Sequence, residues 1–132
     1  MPTKATTEFN HVIIYVRDVE RSLRFYRDLL GFETIEAEPG YARLKSPQGT
    51  TSIGLHAIGK DQLVDTKKEG LRLYFEVRDL DDLCDRMAAK GIAFSQMPKD
   101  MEWEWRHAYL SDPDGHALSL YWAGKKRLEK TQ

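Results

Sequence analysis

Val12-Ile13-Ile14-Tyr15-Val16-Arg17-Asp18-Val19 and Leu71-Arg72-Leu73-Tyr74-Phe75-Glu76-Val77-Arg78-Asp79-Leu80 are the two stretches that decide the fold. Each is an apolar run closing on Val-Arg-Asp and a further aliphatic residue, and Val77 follows Val16 by 61 positions. A helical pattern comes next in both: Val19, Leu23, Tyr26 and Leu30 in the first, Leu80, Leu83, Cys84 and Met87 in the second. Spacings of three and four place such residues on one helical face. Each pattern stops at a glycine, Gly31 or Gly91, as the left-handed position after a helix prefers. Asp18 and Asp79 stand where an N-cap side chain accepts an orphan amide. The chain repeats itself.

Outward from the first helix, Glu33 to Ala37, Tyr41 to Lys45 and Thr51 to Ile58 read as strands, separated by Pro39-Gly40 and Ser46-Pro47-Gln48-Gly49. The polar stretch from Gly59 to Gly70 reads as a linker. After the second helix, Ile92 to Ser95 reads as a strand and Gln96 to Glu104 as a loop. Arg106 to Leu110 and His116 to Tyr121 then form a hairpin about Ser111-Asp112-Pro113-Asp114-Gly115. The order is strand-helix-strand-strand-strand, twice. That predicts an α+β fold of two βαβββ modules, 9–58 and 71–122, joined by 59–70 in one domain of 132 residues.

Alternation sorts the strand faces. Val12, Ile14 and Val16 point to the first helix, leaving Phe9, His11, Ile13 and Tyr15 opposite. Leu71, Leu73, Phe75 and Val77 point to the second, leaving Arg72, Tyr74 and Glu76. By the same rule Ser52, Gly54, His56, Trp105, His107, Tyr109, Ala117, Ser119 and Tyr121 lie on the faces away from the helices. An ordinary wet face would favour Lys, Glu and Thr; these aromatic and polar groups suit a ligand cavity.

Charge excludes one class of partner. Twenty basic residues against 21 acidic leave a net charge of -1, whereas nucleic-acid binding needs a basic surplus or a dense basic patch. Lys125-Lys126-Arg127, with Lys130, reads as a solvated tail. Cys84 is the sole cysteine, which rules out an intrachain disulfide, and its place in a helix makes it a core residue. No stretch approaches the ~20 apolar residues of a membrane span, and the start carries no signal-like run. The expectation is a cytoplasmic protein.

Asn10-His11-Val12-Ile13-Ile14-Tyr15-Val16-Arg17-Asp18, Ser22-Leu23-Arg24-Phe25-Tyr26, Leu29-Leu30-Gly31-Phe32 and Asp112-Pro113-Asp114-Gly115-His116 together resemble the vicinal oxygen chelate superfamily of glyoxalases, bleomycin-resistance proteins and extradiol dioxygenases. The resemblance runs from Phe9 to Trp122. It implies paired βαβββ modules whose cupped sheets enclose a site, usually in a homodimer. It also implies up to four metal ligands, on the first and fourth strand of each module, which fall here at His11, Gly54, Arg72 and Ser119. Only His11 is a competent metal ligand: Arg72 and Ser119 replace what are usually histidine and glutamate, and Gly54 offers no side chain. A guanidinium beside a divalent cation is repulsive. A displaced set drawing on His11, His56, Glu76 and His107 has the donor types of a non-haem iron or zinc site.

Each candidate has a plainer reading. His11 could be bonded to Ser119 or Tyr121 with no chemistry. A buried Arg72 requires a negative partner, either Glu76 or an anionic ligand. His56 and His107 suit a sheet edge or a dimer contact. Trp103 and Trp105 suit a cavity wall or an interface, and Trp122 suits packing. The Asp-Pro-Asp-Gly residues are explained by turn chemistry, with His116 exposed beside them.

The reading that follows is a protein binding a small organic molecule, anionic or aromatic, without the usual metal and with no cofactor. His11, His56, Arg72, Tyr74, Trp105, His107, Ser119 and Tyr121 are its expected ligand-binding residues. A lyase or dioxygenase with a divalent metal at a non-standard site built on His11 is the alternative. A non-catalytic dimeric scaffold is the third. The expected partners are a small molecule and a second copy of the chain, with no nucleic acid and no membrane.

Overall fold

The computed structural model describes residues 7–59 and 70–130. The chain forms two units, Met1–Val64 and Asp65–Gln132. In the first, β1 (His11–Val16) leads into α1 (Val19–Leu23), followed by β2 (Glu33–Glu38), β3 (Tyr41–Lys45) and β4 (Ser52–Ala57). In the second, β5 (Leu73–Glu76) leads into α2 (Leu80–Ala89), β6 (Phe94–Asp100), β7 (Arg106–Ser111) and β8 (Ala117–Trp122). The fold is α+β, a βαβββ order in each unit. Of the expected linker, residues 60–69 lie outside the described residues.

The two sheets have the same wiring. Their orders are β1-β4-β3-β2 and β5-β8-β7-β6, with the first and fourth strands of each unit parallel and the remaining pairs antiparallel. The crossover that returns a strand parallel to the first puts the helix on one face. Side-chain alternation follows as expected. Ile14, Val16, Ala42, Leu44, Ile53 and Leu55 are buried with Leu23, Phe25 and Tyr26 in the first unit. Ala108, Leu110, Leu118 and Leu120 are buried with Leu80, Leu83, Cys84 and Met87 in the second. Burial pushes the Cys84 thiol up to about 11, with Asp81 and Asp85 adding to it, so it packs as a small apolar group.

Both helices end on a left-handed glycine, Gly31 at φ 83° and Gly91 at φ 91°. Asp18 caps α1, its Oδ1 accepting from the Arg21 amide at 3.3 Å. Asp79 makes no such bond: its backbone, at φ -97° and ψ 59°, leaves the extended region that aims a cap side chain at the helix. The Asp112 carboxylate accepts from the amides of Asp114 and His116 at 3.0 and 2.8 Å, so the Asp-Pro-Asp-Gly segment is an Asp-centred turn. His116 is half-buried there, because the turn folds back onto its own carboxylate.

Four further local features differ from the sequence reading. The first helix continues from Arg24 to Leu29 as a π-helical turn, whose wider winding buries the adjacent rings of Phe25 and Tyr26. The strand expected at Ile92 to Ser95 runs instead to Asp100. It is an edge strand with two register shifts, which is how it accommodates Pro98. Leu71, expected on the helix side, precedes β5 and is 75% exposed. Trp122 is only half-buried, with the Arg78 guanidinium 4.8 Å above its ring.

Candidate functional site

On the first sheet the face away from α1 carries His11, Ile13 and Tyr15 from β1 against Ser52, Gly54 and His56 from β4. His11 is exposed and its Nδ1 lies 2.7 Å from Oγ of the cross-strand Ser52. His56 lies four residues further along the same face. Its Nδ1 donates to its neighbour's carbonyl, Ala57 O, at 2.7 Å, and its ring contacts Tyr15 and Tyr41. The register sets Gly54 beside Ile13, one step along from His11.

The second sheet gathers most of the expected residues. Ser119 sits between Tyr74 of β5 and Tyr109 of β7, and His107 sits opposite Tyr121. His107 is 1% exposed on an inner strand, which overturns the sheet-edge reading. Its ring centroid lies 5.5 to 5.9 Å from those of Trp103, Trp105, Tyr74, Tyr109 and Tyr121. Trp105, His107 and Tyr121 are nearly parallel, with interplanar angles of 8° to 19°. Glu104 between the tryptophans takes a φ of 71°, uncommon outside glycine. The tight turn closes through Glu104 N to Met101 O and Met101 N to Trp105 O. It returns the Trp103 indole to His107, where Nε1 donates to Nε2 at 3.3 Å. His107 Nδ1 lies 3.2 Å from Ser119 Oγ.

Arg72 and Glu76 depart from expectation. Arg72 is exposed, because β5 begins only after it, so water solvates the guanidinium and no internal acid is required. Its Nη1 donates to Leu118 O at 3.1 Å and the group lies 4.8 Å over the Tyr109 ring. The Glu76 carboxylate accepts from the amides of Ala123 and Gly124 at 3.1 and 2.7 Å, and so anchors the chain after β8. It is not the counter-ion of Arg72.

Electrostatics follow from this packing. Burial, and secondarily the Arg72 charge, hold His107 below its ordinary value, favouring a neutral ring. Burial, reinforced by Glu76, pushes the Tyr121 phenol up. Arg106, unremarked in the sequence, forks onto Asp81 at 2.9 and 3.0 Å and reaches Asp100 at 2.9 Å, tying α2 to the sheet. An open groove at that end of α2 involves Arg78, Asp79, Asp82 and Trp122, on the helix side of the sheet. Arg106 already neutralises Asp81 there.

Tyr109, placed by alternation on the cavity face, and Trp103, read as cavity wall or interface, were not among the expected ligand-binding residues; the structure sets Tyr109 beneath Arg72 and makes Trp103 a hydrogen-bond donor to His107. Their signal was the period-two series Trp103, Trp105, His107, Tyr109, which continues one strand face into the preceding turn. Among the described residues, no three His, Cys, Asp or Glu side chains gather as a metal ion requires. The four positions of the resemblance carry an imidazole bonded to Ser52, a glycine, a guanidinium and a hydroxyl bonded to His107. That donor set does not fit a divalent cation.

The family model described as the Glyoxalase/Bleomycin resistance protein/Dioxygenase superfamily matches residues 8–120. The chain belongs to this superfamily. Within it, the chain is 30% identical over 122 residues to the protein YraH of Bacillus subtilis (strain 168), across 82% of this chain and 92% of YraH. It is 27% identical over 118 residues to the bleomycin resistance protein of Geobacillus stearothermophilus, across 80% of this chain and 89% of that protein. A solved glyoxylase/bleomycin resistance protein/dioxygenase domain from Frankia sp. EAN1pec is 28% identical, with a TM-score of 0.72 over 90% of this chain and 93% of that one. Superfamily membership accounts for the twofold βαβββ order. Among the described residues, no helix is long and apolar enough to cross a membrane.

Proposed function

We propose that this superfamily member binds a small planar organic molecule, without a divalent metal, on the face of the β5–β8 sheet away from α2. The observation that carries the reading is the ring set of Trp103, Trp105, Tyr74, Tyr109 and Tyr121 around His107, with the exposed Arg72 guanidinium on the Tyr109 face. Aromatic faces supply flat contact area, and the guanidinium favours an anionic substituent. Similarity to a bleomycin resistance protein supports binding as the general activity.

Titrating the protein with planar aromatic acids should quench tryptophan fluorescence saturably. Trp105→Ala should weaken that binding roughly three- to tenfold through lost stacking. Arg72→Met should weaken anionic ligands by roughly two- to fivefold and leave neutral ones alone, as suits a solvent-screened charge. Unchanged affinity in both variants would move the site elsewhere. Stoichiometric metal in protein purified without chelator would replace this reading with the His11-centred lyase or dioxygenase.

The same proposal takes the working unit to be a homodimer. Phe9 and Leu71 are 84% and 75% exposed, large apolar side chains that a partner copy would cover. Light scattering at micromolar concentration should give twice the 15.3 kDa chain mass. A monomer mass would overturn it.

A further inference from the structure

Trp103, His107 and Ser119 are bonded in series, and the directions of the bonds follow from which atoms carry hydrogen. An indole N–H can only donate. With Trp103 Nε1 3.3 Å from His107 Nε2, that nitrogen is the acceptor and carries no proton. A neutral imidazole then has its hydrogen on Nδ1, which donates to Ser119 Oγ at 3.2 Å. Ser119 Oγ is thereby an acceptor, and its own hydrogen has no recipient among the described residues.

Ser119 is fully buried, and native proteins seldom leave such a donor unpaired. Tyr74 and Tyr109 flank it in register. Tyr74 lies on the edge strand β5 and is 52% exposed. Its ring is held by edge-to-face contacts with His107 and Tyr121, and its hydroxyl makes no bond among the described residues. On the other flank, Arg72 covers Tyr109. The half-exposed Tyr74 on one flank and the Arg72 guanidinium over Tyr109 on the other therefore border the Ser119 hydroxyl.

We propose that Trp103 is a positioning residue that fixes His107 as the Nδ1–H tautomer, so that the Ser119 hydroxyl donates to the ligand and the site selects planar molecules bearing a carboxylate oxygen. The selectivity rests on the binding reading above. With the opposite tautomer, Ser119 would donate to His107 and offer the ligand only lone pairs, and N–H donors would be preferred instead.

The chosen probes are 2-naphthoate and 2-methylnaphthalene, which share a ring system and differ in the acceptor. Nitrogen-15 NMR of histidine-labelled protein at pH 8 should show His107 protonated at Nδ1, and Trp103→Phe should shift population to the Nε2–H form. By calorimetry, Ser119→Ala should weaken 2-naphthoate roughly ten- to hundredfold, the range for a bond to a charged acceptor, without weakening 2-methylnaphthalene. Trp103→Phe, which keeps an aromatic ring but loses the donor, should lower the preference for 2-naphthoate in the same direction. A wild-type His107 protonated at Nε2 overturns the proposal, as does full 2-naphthoate affinity in Ser119→Ala. If the wild type binds both probes equally well, the selectivity fails and the aromatic site stands. If it binds neither, the binding reading falls and the selectivity falls with it.

Discussion

Tyr26→Ala should cost about 3–5 kcal/mol of folding stability, read as a lowered urea midpoint at unchanged slope. Tyr26 is fully buried in the π-helical turn, edge-on to Phe25 at 5.1 Å and to Phe32 at 6.5 Å, and its carbonyl accepts from the Phe32 amide. Truncating the ring removes its burial and leaves a cavity that the close-packed neighbours can fill only in part. Such a loss is a large share of the roughly 5–15 kcal/mol by which domains are stable. Tyr26→Phe keeps the ring contacts and should cost far less. A Tyr26→Ala loss below about 1 kcal/mol would show that the core beneath α1 closes over the gap, contrary to the close packing expected of interiors.

The fold was legible because two independent signals coincide: the Val-Arg-Asp repeat marks where each helix starts, and period-two alternation marks each strand. What was misread had local causes. Gln96 to Asp100 reads as loop because Pro98 cannot donate to a ladder, yet an edge strand tolerates it where the register slips. The π-helical turn has no propensity signature. Phe25 and Tyr26, adjacent in sequence, are both buried within it, which three-and-four spacing does not anticipate.

The site was legible in part, for the same reasons. Alternation alone put Tyr74, Trp105, His107, Ser119 and Tyr121 on one face, and the structure brings those five together in the second unit. Exposure was not legible. Arg72 has the right parity to share that face, but the ladder begins one residue later, so the side chain lies at the open end of the sheet. Long-range pairing was not legible either. The donors to Glu76 are backbone amides 47 and 48 residues away, and the partner of His11 is a serine chosen by the β1–β4 register. Neither has a residue-type signature, because one uses the main chain and the other depends on where two strands start.

The environment of His107 makes stability fall as the pH drops below about 7. Burial first and the Arg72 charge second lower its folded-state value, whereas in the unfolded chain a histidine titrates near about 6.5. Above that value both states are neutral at this residue and it contributes no slope. As the pH falls through it, the unfolded chain takes up a proton that the folded ring refuses, so stability declines. The slope approaches at most about 1.4 kcal/mol per pH unit and vanishes below the folded-state value, where both states are protonated. Protonation in place would also abolish the Nε2 acceptor of Trp103 and set a cation beside Arg72 in a ring-lined space. His107→Gln retains a side chain able to accept from Trp103 and to donate to Ser119, and does not titrate. Urea midpoints from pH 8 to 5 should therefore fall more steeply for the wild type than for His107→Gln. The difference should first open as the pH passes below about 7. Parallel profiles would mean that the folded ring takes up its proton as readily as the unfolded one, and that the aromatic enclosure admits enough water to solvate an imidazolium.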